Sequence, residues 1–132
     1  MAQLQCIVVT PEETAMEEQA SFVVVPLFDG ELGVAPGHSP LIGRLGFGEL
    51  RLTANDGTRS RYYVDGGFVQ VANDVVTVLT GKTLPAGDLD VAVAEEQLAE
   101  ARKRPANTDE LMELRDRAVL QARSQIRIAR RC

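Results

Sequence analysis

The hydrophobic period of this chain changes at "LPAGD", Leu84 to Asp88, and that change limits what it can fold into. From Leu4 to about Thr83, short runs of Val, Ile, Leu, Phe and Tyr are broken by turn residues, a pattern of strands rather than helices. "LQCIVVT" and "SFVVVPLF" are two such runs. "ELRLTA" and "RYYVDG" flank Asn55, Asp56 and Gly57, residues that tolerate left-handed backbone and so predict a hairpin. "GFVQVANDVVTVLT" predicts another strand pair, turned at Asn73 and Asp74. Many short strands with no helix between them predict an all-β N-terminal domain, an antiparallel β-sandwich or flattened barrel.

Beyond the change, Val91, Ala94, Glu95, Leu98, Ala101 and Arg102 recur at three- and four-residue steps, and Pro105 stops that helix near Arg104. A second helix is expected with Asn107 as N-cap and Glu110 as its capping-box acid. Its stripe runs Leu111, Leu114, Ala118, Ala122, Gln125, Ile126 and Ala129. The chain thus reads as a β domain over residues 1–86 followed by a C-terminal α-helical hairpin over 87–132. A length of 132 residues suits one modest core with an extension, not two full domains. The stripe is mostly alanine, which weakens the hairpin. Burying a Leu or Ile contributes ~1.5–3 kcal/mol, whereas fixing one residue of backbone costs ~1–2 kcal/mol before helix hydrogen bonds offset it. Such a hairpin needs a surface to lie on, either the chain's own sandwich or another protein.

Net charge is −5, which argues against general affinity for nucleic acid. The charge is uneven: residues 1–87 hold ten acids against five bases, and after Asp116 only Arg117, Arg123, Arg127, Arg130 and Arg131 follow. Arg123, Arg127 and Arg130 share one helical face, away from the alanine stripe. That face is either simply solvated or meets an acidic partner. Cys6, in an apolar run, and Cys132, at the last position, form neither a disulfide framework nor a zinc spacing. The apolar runs are far below the ~20 residues that span a bilayer, and Met1 to Thr10 does not resemble a signal peptide. An intracellular chain without its own anchor is the expectation.

Three short motifs suggest chemistry and fail on inspection. "TGKT", Thr80 to Thr83, imitates the end of a phosphate-binding loop, but Val76 stands where the first glycine belongs, and Pro85 and Gly87 interrupt the helix that should follow. "GFGEL" starts like a dinucleotide fingerprint but has Arg51 in place of its third glycine. "GELGVAPGHSPL", Gly30 to Leu41, holds the chain's one histidine, His38, next to Ser39. It reads either as a catalytic loop or as a stiff turn that presents a surface. A nucleophile needs a base oriented by a third group, and no such constellation is recognisable. No catalytic residue and no metal ligand is therefore assigned.

The segment "DGELGVAPGHSPLIGRLGFGELRL" resembles the long signature of the epsilon subunit of F-type ATP synthases, named delta in mitochondria. "YYVDGGFVQVANDVVTVL" is similar to the family's aromatic-x-x-G-G-x-x-x-V segment, and Leu89 and Asp90 match the start of its helical hairpin. The resemblance covers essentially the whole chain. It implies a non-catalytic subunit of the rotary central stalk, bound to gamma, seated on the ring of c subunits and associated with the membrane only through the complex. Asp29, Gly30, Glu31 and Leu32 match the family's turn against the ring, with His38 expected on the adjoining loop. The arginine arm would meet acidic segments of the alpha/beta catalytic head and inhibit ATP hydrolysis. The implied location is the cytoplasmic face of a bacterial inner membrane, in preference to a thylakoid or mitochondrial one. Some members also bind ATP through a pattern like [IL]-D-x-x-R-A and two further arginines. Here Val93 replaces the first arginine, and Gln121 and Gln125 stand at the other two, leaving Asp90, Arg102 and Arg123 as the candidate nucleotide contacts and no cofactor assigned. The readings outside this family are a free-standing binding module with a helical tail and a small hydrolase using His38.

Overall fold

The computed structural model describes residues 3–130. The chain divides into two compact units, Met1–Pro85 and Ala86–Cys132. The first holds eight strands: β1 (Leu4–Val9), β2 (Thr14–Ala20), β3 (Phe22–Leu27), β4 (Gly30–Val34), β5 (Leu41–Thr53), β6 (Arg59–Ala72), β7 (Val75–Leu79) and β8 (Thr83–Pro85). They follow the order β2-β1-β7-β6-β5-β3-β4, with β8 on β6.

β5 and β6 are long enough to belong to both layers of a sandwich, and each switches layers at glycines. In β5 the buried side chain is Leu45 before the bend and Leu50 and Leu52 after it. In β6 the side chain in the main core is Val64 before and Val69 and Val71 after, while Tyr63 is buried outside that core. The inward positions thus change parity at Gly46–Gly48 and at Gly66–Gly67, which a regular strand of period two does not allow. Gly67 has φ +107, and a Cβ on it would lie 1.9 Å from the Leu79 carbonyl oxygen. Between the layers pack Leu4, Cys6 and Val8 of β1, Val23 and Val25 of β3, and Val76 and Val78 of β7, all buried.

Three readings of this half need correction. "RYYVDG" and "GFVQVA" are one bent strand, β6, not members of separate pairs. The sheet is not wholly antiparallel, because β1 and β7 run parallel from Gln5–Val75 to Val9–Leu79. β2, β4 and the first half of β5 also lie where no strand was expected. β2 ("TAMEEQA") is almost entirely exposed and pairs through backbone that its polar side chains do not advertise.

The second unit begins with a 3-10 turn, Ala86–Asp88, and continues with helices α1 (Val91–Lys103) and α2 (Asp109–Arg130). Asp90 caps α1, its Oδ1 accepting from the N–H groups of Ala92 at 2.9 Å and Val93 at 3.4 Å. α2 starts one residue later than expected. Thr108, not Asn107, is its N-cap, with the Thr108 hydroxyl oxygen accepting from Leu111 N–H at 3.1 Å. This shift moves Glu110 out of the capping-box position. The stripe is also displaced: Leu114 is 58% exposed, while Ala122, Ser124, Ile126 and Ile128 are buried. No helix among the described residues is long and apolar enough to cross a membrane.

Candidate functional site

Phe28 and Asp29 make the tight link between β3 and β4, and Gly30, at φ +142, opens β4. Glu31 and Leu32 are already on β4, facing Pro26 and Val25 of β3. The link is fastened to β5, for Phe28 N–H donates to the Arg44 carbonyl at 3.0 Å and the Arg44 guanidinium lies over the Phe28 ring, 5.7 Å from its centre.

Glu31 is tied into a chain of charges. Its Oε2 lies 2.7 Å from Nη1 of Arg51, which is 3.2 Å from Oε1 of Glu49, and Glu49 in turn accepts from Nε of Arg61 at 2.9 Å and also from its Nη2. Glu49 is only 5% exposed. Its burial pushes the carboxyl up, but the guanidiniums of Arg61 and Arg51 outweigh that effect and hold it below the usual carboxylate range. The hydrogen bond to Glu31 chiefly raises the Arg51 guanidinium, and burial opposes it. Sequence reasoning missed this network, since it joins β4, β5 and β6 across the sheet and no local spacing announces it.

His38 is elsewhere. β4 carries the chain away from the Phe28–Asp29 link at ~3.3 Å per residue, and the turn Ala35–His38 closes beyond its far end, His38 N–H donating to the Ala35 carbonyl at 3.2 Å. Pro36 followed by Gly37 at φ +85 is the pattern of a type II turn. Gly37 N–H donates to Asp74 Oδ1 at 2.7 Å, pinning the loop to the β6–β7 turn. His38 Nδ1 sits 2.7 Å from the Ser39 carbonyl. Glu31 near the start of β4 and His38 beyond its end are thus set apart by the length of that strand rather than being neighbours on one turn. The "TGKT" segment is likewise structural: the Thr80 hydroxyl oxygen accepts from Asp65 N–H at 3.0 Å.

Exposed apolar side chains stand beside the β3–β4 link. Arg44, Phe68 and Leu79 are directly paired across β5, β6 and β7, and Phe28 (66% exposed), Phe68, Leu79 and Ile42 (75%) are open to solvent. Their alternation along the strands was visible in the sequence; which of the two faces is covered was not.

In the helical unit, Arg123, Arg127 and Arg130 line an open groove of ≈ 670 Å³ together with Glu95, Leu98 and Ile126. Arg130 is already paired with Glu95 of α1 at 2.9 Å. Arg117, six residues before Arg123, points about a third of a turn away from it, and Arg131, like Cys132, lies outside the described residues. The three nucleotide candidates do not form one cluster. Asp90 is occupied as a cap at the start of α1, and Arg102 is at the other end of that helix, about 18 Å along its axis. Among the described residues no group of His, Cys, Asp and Glu is arranged to hold a metal ion.

Residues 3–86 match the family described as "ATP synthase, Delta/Epsilon chain, beta-sandwich domain". A protein of Rhodopirellula baltica named ATP synthase epsilon chain is 51% identical over 127 residues, 96% of this chain and 98% of that one. A protein of the same name from Granulibacter bethesdensis is 38% identical, covering 84% of this chain and 82% of its own. Among solved structures, a chain of the Euglena gracilis mitochondrial ATP synthase (OSCP/F1/c-ring) gives a TM-score of 0.83 at 23% identity, covering 94% of this chain and 79% of that one. A chain of the Tetrahymena thermophila mitochondrial ATP synthase (central stalk/c-ring) gives 0.73 at 11% identity, covering 96% of each. The two structural likenesses bear on the fold alone. The family match spans the sandwich and the identity to the Rhodopirellula protein continues through the helices, so this chain belongs to the ATP synthase delta/epsilon chain family.

Proposed function

We propose that the chain works as the epsilon subunit of an F-type ATP synthase, a non-catalytic part of the rotor that joins the catalytic head to the membrane ring of c subunits. The 51% identity over nearly the full length of a protein named ATP synthase epsilon chain carries this reading. In it, the turn of Asp29, Gly30, Glu31 and Leu32 meets the polar loops of the ring. The apolar surface of Phe28, Ile42, Phe68 and Leu79 beside that turn suits burial against a permanent partner such as gamma. His38, at the far end of β4, stands apart from the ring contact and is left without a partner of its own in this reading. The complex sits at the cytoplasmic face of a bacterial inner membrane, in keeping with the sources of the two named relatives.

The helical unit is a regulatory arm whose basic residues Arg117, Arg123, Arg127, Arg130 and Arg131 would supply the charge for acidic segments of the alpha/beta head. Its small buried side chains and exposed Val93, Met112, Leu114 and Leu120 suit an element that changes docking site at a cost of a few kcal/mol. ATP is not assigned as a ligand, since Asp90 is spent on its helix and Arg102 is remote from it. Deleting residues from Asp88 onward is expected to leave assembly with gamma intact and to raise ATP hydrolysis by the purified complex. Unchanged hydrolysis after truncation would remove the inhibitory role, and failure to co-purify with gamma would remove the rotor role.

A further inference from the structure

The hairpin that carries Asp29 and Glu31 is thinly tied to the sheet beneath it. β3 pairs with β5 from Phe22–Thr53 to Val24–Arg51 and again at Leu27–Leu45, with a register shift between. Pro26 lies in this gap and has no N–H to offer β5. Gly48 comes so close to it that a Cβ there would stand 2.7 Å from Pro26 Cβ. On the other side of β3, Pro26 faces Glu31. The backbone ladder is therefore interrupted beside the residue that the proposed contact uses.

Side chains span the interruption. β3 lies between β4 and β5, so the Arg51–Glu31 ion pair at 2.7 Å bridges over it. A single exposed pair of this kind adds little to stability, because two long side chains must be ordered to form it. Arg51, however, is anchored at its base. The same Nη1 contacts Glu49, and Glu49 is buried and held in turn by Arg61. An arginine fixed from below loses little freedom when it holds a carboxylate above, which is the condition for a preorganised contact.

We propose that Arg51 is a positioning residue: braced by Glu49 and Arg61, it clamps Glu31 and with it the tip of the β3–β4 hairpin, so that the tip meets the polar loop of its partner without yielding. This rests on the reading that the Asp29–Leu32 turn makes the rotor contact, and two measurements separate the clamp from that reading. In the full-length chain, hydrogen exchange at the amides of residues 28–32 should quicken two- to five-fold in Arg51→Ala, with the β6–β7 amides unchanged and Arg51→Lys in between. In membrane vesicles holding the assembled complex, proton pumping per ATP hydrolysed should fall in Arg51→Ala and in Glu31→Ala, and the double variant should be no worse than the poorer single one. Exchange unchanged at the tip, or changed equally at the β6–β7 turn, overturns the clamp. Pumping that falls in Glu31→Ala but not in Arg51→Ala, or losses that add in the double variant, overturn the positioning role. Faster exchange with pumping intact in both single variants upholds the clamp and overturns the turn as the rotor contact.

Discussion

A carboxylate held between two guanidiniums is a pH-dependent fastener. Glu49 is buried on β5, and Arg61 and Arg51 keep its carboxyl below its ordinary value of 4.5. Because the folded state lowers this value, the stabilisation is fully present above the unfolded one and is lost as pH falls through the folded one. Glu49→Gln is expected to cost about 1–3 kcal/mol near pH 7, since the partly buried guanidiniums of Arg61 and Arg51 each lose one negatively charged neighbour. The deficit should shrink as the pH drops below ~4.5. Urea unfolding of both chains at pH 7 and pH 3.5 checks this, and a deficit that stays constant or grows in acid contradicts it. Cys6 shows the opposite influence. Burial, with Glu18 adding to it, pushes its thiol up to about 12, in line with a small buried hydrophobe rather than a reactive group. Cys6 was legible from its apolar neighbours, whereas Glu49 was not. Arg51 is two residues along the same strand, but Arg61 comes from β6, and "GEL" looks like any polar break between apolar residues.

At the scale of elements, glycine was visible in the sequence, but its purpose was not. "GFGEL" began like a nucleotide motif and "DGG" stood where one expected strand ended and the next began, yet they are the corners where β5 and β6 pass between the two layers. Gly67 is the strictest position, because both its φ of +107 and its 1.9 Å approach to the Leu79 carbonyl exclude a side chain. Gly67→Ala is expected to destabilise the β-unit by more than ~2 kcal/mol. Thermal unfolding followed by circular dichroism would show a clear loss, while Gly81→Ala, where no atom lies within 4 Å of an added Cβ, serves as the tolerant control. Equal effects at the two positions would contradict the corner role. Helix positions were read more easily, because caps and proline act locally. Pro105 ends α1 where expected, and the α2 cap moved by one residue because Thr108, next to Asn107, is also a capping residue type. β2 escaped notice because an exposed strand that pairs through its backbone carries no apolar alternation.

The whole molecule is two units with unequal means of support. All the residues of the main hydrophobic core, from Leu4 to Val78, belong to the first. A fragment ending at Pro85 is therefore expected to fold alone and to unfold cooperatively, with a midpoint in urea close to that of the sandwich in the full chain. A fragment without a cooperative transition would show that the helices are required for the sandwich. The switch of period at "LPAGD" was enough to set the strand and helix halves, because periodicity reports which side chains share a face and needs no knowledge of the partner. Hydrophobic pattern, turn residues and helix breakers are local properties, so the class of fold, most strands, both helices and the family could be read along the chain. Tertiary structure alone decided the parallel β1–β7 pair, the corner role of the glycines, the separation of Glu31 from His38, and the Glu31–Arg51–Glu49–Arg61 chain. Each of these depends on which segments become neighbours, and contacts between residues far apart in sequence leave no periodic trace along it.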